Sequence, residues 1–444
     1  MQSKSFRAIS TILVFGLPMF TVALGCNESR NPDRGVNNKV DIPQVPSNER
    51  DATASPQADL PDDPPAAQNA GPKPVPRPLV LRKWKFPGDP ASDGKSFQDE
   101  YSIREIHFHP DRDKLVVASR RAIHCLELNS GKILATVQPE LMKGQFVHYL
   151  AAVSPDGRFA AVPHENEKEL DVRETATGRL VRTYRLDDKS RFPFHTGQLA
   201  FGQSGDALIA LADRNAPVLH LISTQTGTGR VLTVPAFSKN DVFAELLYAA
   251  DKGTVLAHRG LNKHSKGAAP DVSAFDLSAG KETPLTSLTI RPHSWNHDRP
   301  WKLSPDGTLL LVKGDKDIQI CEWQADRRVF EHKGDTYQDP TFTPDGKRFL
   351  VCWHDVRHGS PGYIYIGGPP QQKGTVELFS IARKERIATF TPADNDFPHD
   401  PTALAVSADG RTLAVATERT VGLIDFQAAF GVAPIPLSQA APAK

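Results

Sequence analysis

Short apolar segments alternate with polar turns along most of the chain, and one stretch shows the scheme in full. It reads "HYLAAV", turn "SPDG", "RFAAV", loop "PHENEKE", "LDVRET", turn "ATG", "RLVRTYR". Apolar positions at every second residue, bounded by Pro, Gly, Asp and Asn, predict four short β-strands joined by tight turns. The core phrase "SPDGRFAAV", which begins at Ser154, has relatives at Ser304 ("SPDGTLLLV"), Thr343 ("TPDGKRFLV") and Ser407 ("SADGRTLAV"). Aligned on that phrase, the chain falls into units of about 39 to 64 residues, each with the same succession of strands and turns. The seventh unit, "TALAVSADGRTLAVATERTVGLIDF", stops after three strands.

The missing strand predicts the architecture. A ring of four-stranded units exposes an edge unless one terminus completes the unit begun by the other. The sequence offers one unassigned strand pattern, "PLVLRKWKF" at Pro78 to Phe86, ahead of the first full repeat. The expected fold is therefore all-β: a seven-bladed propeller of four-stranded antiparallel blades, closed by an N-terminal strand that completes the last blade. The "SPDG" first turns, the "TGR" or "SGK" third turns, and third strands such as "CLELNSGK" and "VELFS" resemble the WD-repeat and WD-repeat-like β-propellers over about residues 78–430. No Trp-Asp dipeptide ends a blade and Gly-His openings are absent, so the secreted propellers with "SPDG" turns, of the Tol-system and quinoprotein-like types, are close competitors for the subfamily.

Within each "SPDG" unit the Pro presets φ, the Asp side chain can cap its own turn, and the Gly accepts the positive φ that ends it. Asp156, Gly157, Asp306, Gly307, Asp345, Gly346, Asp409 and Gly410 are accordingly expected to be structural turn residues. Calcium would need several acids converging at alternate positions, which one Asp per turn does not provide. In an up-and-down blade the first and third turns share one face, and the second loops and inter-blade crossovers share the other. The second set is long and irregular, and on a rigid scaffold such loops are where binding resides.

That face carries the candidate partner-binding residues: His195, Trp295, His297, Trp353, His354, Arg357, His358, Tyr363, Tyr365 and His399. Trp, Tyr and Arg are typical interface anchors. His195, His297 and His399 lie seven or eight residues before an SPDG-like turn, where WD-repeat proteins keep a structural histidine. The pairs His297-Asp298, His354-Asp355 and His399-Asp400 also admit a zinc or copper site over the central channel. The insertion from Trp353 to Gly374 holds "YIYI" between Gly-Pro breakers and reads as a hairpin projecting over the channel mouth.

Composition and charge narrow the function. Lys+Arg 53 against Asp+Glu 52 give a formal charge of +1 in 444 residues, which disfavours a nucleic-acid binder. At the N-terminus, Lys4 and Arg7 precede the apolar run Ala8 to Gly25, and "ALGC" ends on Cys26. This reads as an export signal, and it resembles a bacterial lipoprotein signal with Cys26 lipidated. An uncleaved anchor or ordinary cleavage would equally place the remainder outside the cytoplasm. From Asn27 to Arg77 there is no aromatic residue, and Pro, Ala, Asp, Asn and Gln dominate, the composition of a disordered tether with a reach of about 40 Å. The expected organisation is residues 1–26 signal, 27–77 tether, 78–430 propeller and 431–444 disordered tail.

Cys125, Cys321 and Cys352 lie in or beside apolar strand patterns and read as buried small hydrophobes, with a Cys321–Cys352 disulfide as a further possibility between neighbouring repeats. No CxxCH, nucleophile elbow, phosphate loop or paired-carboxylate arrangement is present: "GQSGD" lacks the second elbow Gly, and no helix follows "TGTGR". The expectation is a monomeric, membrane-anchored, extracytoplasmic scaffold without cofactor or metal, binding a protein or envelope component through its loop-rich face. The alternative is a propeller enzyme, a metal-dependent lyase or lactonase or a quinoprotein-like oxidoreductase, with a His/Asp site over the channel.

Overall fold

The structure, a computed structural model, describes residues 80–86, 103–119, 122–138, 151–164, 168–186, 199–203, 205–212, 218–226, 228–232, 242–249, 253–260, 272–288, 301–313, 317–333, 337–353, 374–392, 397, 401–417 and 420–432. These residues build seven four-stranded antiparallel sheets. Blade 1 is β2 (Ile103–Phe108), β3 (Lys114–Ser119), β4 (Ile123–Glu127) and β5 (Ile133–Val137), preceded in the chain by β1 (Val80–Lys85). Blade 2 is β6 (Ala152–Val153), β7 (Phe159–Pro163), β8 (Glu169–Glu174) and β9 (Leu180–Arg185). Blade 3 is β10 (Leu199–Phe201), β11 (Ala207–Ala212), β12 (Val218–Ser223) and β13 (Gly229–Leu232). Blade 4 is β14 (Val242–Ala249), β15 (Thr254–Gly260), β16 (Val272–Asp276) and β17 (Lys281–Pro284). Blade 5 is β18 (Trp301–Leu303), β19 (Leu309–Lys313), β20 (Asp317–Glu322) and β21 (Arg327–Lys333). Blade 6 is β22 (Tyr337–Phe342), β23 (Arg348–Trp353), β24 (Thr375–Ser380) and β25 (Glu385–Phe390).

Blade 7 is β26 (Pro401–Val406), β27 (Thr412–Thr417) and β28 (Thr420–Asp425), and its outermost strand is β1. The closing strand predicted at residues 78–86 pairs antiparallel with β28, from Val80 opposite Ile424 to Lys85 opposite Thr420. Closure joins the two ends of the ring by a sheet ladder instead of leaving β28 as an open edge. A short helix that the sequence pattern did not flag, α1 (Phe426–Phe430), follows β28; Asp425 caps it by accepting the Ala428 N–H at 2.7 Å.

Both faces of each blade are buried, as a ring of sheets requires. Seven apolar clusters each bridge two adjacent blades. One joins Ile106, Leu115 and Leu126 of blade 1 to Ala403, Ala414 and Leu423 of blade 7, with Trp84 and Phe86 beside them, and so closes the circle. Cys321 packs in the cluster between blades 4 and 5, and Cys352 in that between blades 6 and 7. A Cys321–Cys352 disulfide is therefore excluded: neighbouring repeats present these two thiols to different interfaces, and neither they nor Cys125 are bridged. Burial pushes the Cys125 thiol up to about 11, so it packs as a small apolar group and is inert as a nucleophile.

Candidate functional site

The four "SPDG"-type turns show how one face of the ring is spent on structure. At Ser154 the hydroxyl donates to Asp156 at 2.6 Å and accepts the Phe159 N–H at 2.9 Å, while Asp156 also accepts the Arg158 N–H at 3.1 Å. Gly157 sits at φ +73° and returns its N–H to the Ser154 carbonyl at 2.8 Å, a conformation that costs glycine little. The same arrangement recurs around Asp306 with Gly307 and Asp409 with Gly410, and around Asp345 with Gly346 except that the Thr343 hydroxyl lies 2.9 Å from the Arg348 carbonyl instead of accepting an N–H. Burial alone would raise the Asp306 and Asp409 carboxyl pKa values, but the hydroxyl and amide donors of the turn outweigh it and hold both below the ordinary value. Blade 1 has a longer turn, in which His109 takes the serine's place and its Nδ1 accepts the Asp111 N–H at 3.1 Å. Burial is the main cause of the lowered His109 pKa, which keeps the ring neutral for that role.

The third turn of each blade is tied to the first. Backbone bonds run from Leu128 to Asp113, Thr175 to Arg158, Thr224 to Asp206, Leu277 to Gly253, Ile381 to Lys347 and Phe426 to Arg411, all 2.6–3.1 Å. In blade 5 the Trp323 Nε1–H donates to the Gly307 carbonyl at 2.8 Å. These ties fix both sets of turns on one face. With their acids committed to their own turns, no group of three or more His, Cys, Asp or Glu suited to a metal occurs among the described residues.

His195, Trp295, His297, His354, Arg357, His358, Tyr363, Tyr365 and His399 lie outside the described residues, as do Cys26 and the residue 27–77 segment. The backbone of Trp353 ends β23, paired with Tyr337 and Thr375. The second strand of blade 6 thus ends on the face opposite the short turns, and residues 354–373 lie outside the described residues.

What the structure does show on that face is a polar cluster that the sequence reading passed over. Between blades 1 and 2 an opening of about 180 Å³ is lined by Thr136, Gln138, His164, Asp171 and Arg173, with Val137, Val162 and Pro163. Asp171, whose side chain is 4 % exposed, accepts from Thr183 at 2.6 Å and Arg173 at 2.7 Å and lies 2.9 Å from His164 Nε2. Glu169 lies 3.8 Å from His164 Nδ1 and accepts from Arg185 Nε at 2.5 Å. Burial would raise the Asp171 pKa, yet the bonds from Thr183, His164 and Arg173 together bring it below the usual carboxylate value. A carboxylate held this way is a poor proton acceptor, and it acts instead to orient His164 and Arg173 at the mouth. The opening is also smaller than the roughly 300–1,000 Å³ of a typical small-molecule or cofactor site. It has room for one side chain of a partner. The sequence signal was available in "ELDVRE", where alternate positions of β8 are charged; in a blade with both faces covered, such residues must find partners.

A second buried polar pair lies at the same end of the ring. His258 of β15 and Trp301 of β18 stack with ring centroids 5.0 Å apart. Neither His258 Nε2 nor Trp301 Nε1 has a hydrogen-bond partner among the described residues. Burial depresses the His258 pKa to about 4.

No protein-family model matches the sequence, and no curated protein matches it. By contrast, 1510 chains of solved structures match the fold. One chain from the crystal structure of the mitotic checkpoint complex is similar with a TM-score of 0.51 and 16 % identity, over 82 % of this chain and 97 % of that one. The chain is thus a seven-bladed β-propeller in fold. At that identity the likeness carries architecture alone, because one scaffold hosts many functions.

Proposed function

We propose that this protein is a non-enzymatic interaction scaffold, exported and lipid-anchored through Cys26, whose propeller binds a protein or envelope partner on its loop-rich face. The observation that carries the reading is the division of labour between the two faces. One face has acids, hydroxyls and glycines consumed by short repeated turns, while the strand ends on the other frame the His164–Asp171–Arg173 opening, and the sequence assigns the long connections to that side. Support also comes from the fold's similarity to a chain from a multiprotein complex. The opening suits an anchoring side chain from a partner, with Arg173 and His164 as polar contacts and Val137, Val162 and Pro163 as apolar walls.

The test is quantitative capture from a solubilised cell envelope by three purified forms: the full chain, the chain lacking residues 354–373, and His164→Ala/Arg173→Ala. The reading expects the same partner with the full chain and at least tenfold less with one of the altered forms. Equal recovery by all three removes the loop-rich face as the binding surface. A stoichiometric metal ion or redox cofactor in the purified full chain would overturn the non-enzymatic reading.

A further inference from the structure

Four large apolar side chains stand out as exposed among the described residues: Leu81 at 43 %, Leu134 at 40 %, Leu180 at 44 % and Val231 at 56 %. All four lie on outermost strands, and those strands belong to successive blades around the ring: β1 of blade 7, β5 of blade 1, β9 of blade 2 and β13 of blade 3. Part of this follows from backbone geometry. Bulges in the pairing of β1 and β5 fall at Leu81 and Leu134, and a bulge breaks the alternation that would otherwise turn a leucine inward.

Charge separates the same strands from the rest of the rim. The sequences of β1, β5, β9 and β13 (VLRKWK, ILATV, LVRTYR and GRVL) contain no Asp or Glu, whereas β17, β21 and β25 of blades 4 to 6 each contain a Glu. Beside the exposed leucines stand Arg82, Lys132 and Arg182, all exposed and without a carboxylate partner among the described residues. Arg82 donates to the Leu128 carbonyl at 2.8 Å and so lies across the junction of blades 7 and 1. Leu81, Leu134 and Leu180 all fall at the starts of their strands, next to the short-turn face. Three points on one rim can rest together on a flat surface.

We propose that this edge of blades 7, 1 and 2 docks on an anionic lipid bilayer. Aliphatic side chains standing free between long cationic arms match an interface in which the alkyl groups enter the headgroup boundary and the cations meet lipid phosphates. A fluid bilayer needs no pocket to receive exposed side chains such as these, whereas a protein anchor would. The first described residue, Val80, lies on this edge, and the segment read as the tether precedes it in the chain. Docking this way turns the loop-rich face away from the membrane, toward a partner. The inference rests on the membrane-anchored reading for its biological setting, but its physics requires only the propeller.

The experiment is vesicle flotation of the mature chain, residue 26 onward, carrying Cys26→Ser, so that neither lipid nor the apolar run Ala8 to Gly25 is attached. Vesicles of phosphatidylcholine alone are compared with vesicles containing 30 mol % phosphatidylglycerol, at low and high salt. The expected result is at least tenfold tighter binding to the anionic vesicles, lost in 0.5 M NaCl. In R82E/K132E/R182E binding should fall at least a hundredfold, at about fivefold per charge removed. L81S/L134S/L180S should also weaken binding while leaving the thermal transition in place, as surface substitutions do. Equal binding to both vesicle types, or an unchanged charge-reversed variant, overturns the proposal. So does binding to soluble polyanions such as heparin without binding to vesicles. Failure of the anchor reading is seen separately, as an unlipidated Cys26 in the mass of the wild-type protein, and leaves the flotation result standing.

Discussion

Gly131→Ala gives a sharp test of ring closure, because Gly131 of blade 1 is in contact with the strand that closes blade 7. A Cβ built on Gly131 would lie 1.9 Å from both Cδ1 and Nε1 of Trp84 on β1, and the residue holds φ at +72°. Two costs follow. Placing alanine at positive φ costs about 1 kcal/mol, and expelling the indole from its seat adds about 1–3 kcal/mol of overpacking. The expected loss is about 2–4 kcal/mol, from a half-buried glycine in a surface turn. In a Trp84→Ala background the collision partner is gone, so the same substitution should cost only about 1 kcal/mol. The difference is a coupling energy of about 1–3 kcal/mol, measurable in a double-mutant cycle by urea unfolding followed by circular dichroism. Thermal midpoints are a weaker readout, because a cooperative unit of roughly 350 residues shifts by only about 1–2 °C per kcal/mol. Additive penalties, with coupling below about 0.5 kcal/mol, would mean that Trp84 does not pack on Gly131 and that β1 does not close the ring in this register.

Other outcomes follow from single features. His258 titrates at about 4 in the fold against 6.5 for the free group, so the unfolded chain takes up the proton first as pH falls. Stability should be full above about pH 6.5 and decline by about 3 kcal/mol by pH 4, and His258→Phe, which keeps a ring against Trp301, should remove that slope from the unfolding profile. Asp171→Ala strips the shared partner from Thr183, His164 and Arg173 and should cost about 2–4 kcal/mol in chemical denaturation; a loss below about 0.5 kcal/mol would show that the cluster is not built as described. Asp306→Ala should cost about 1 kcal/mol, the worth of a turn cap, and leave partner capture unchanged. Because the three described cysteines are unbridged, reductant should not move the thermal midpoint, and a drop of several degrees would reveal a disulfide.

The fold was legible in the sequence because propeller closure is a counting problem. Three strands after Thr402 and one lone strand pattern before Tyr101 admit one simple solution, and β1 on β28 is that solution. The turn chemistry was legible for a similar reason: Asp156 and Gly157 need only their own neighbours to do their work. The polar cluster was not legible, because Asp171 is satisfied by Thr183 on the next strand and by His164 across a loop, partners whose meeting depends on register and not on spacing. Cys321 and Cys352 mislead in the same way: adjacent repeats bring them close in the ring, but each side of a blade faces a different neighbour. The exposed leucines of the outer strands escaped because a bulge, invisible in the hydrophobic pattern, decides which way Leu81 and Leu134 turn. Local chemistry and the strand count thus read directly from this chain, while side-chain contacts between strands had to wait for the register. That is also why the rim and the His164 opening, both products of register, are the places where mutagenesis will separate scaffold from function.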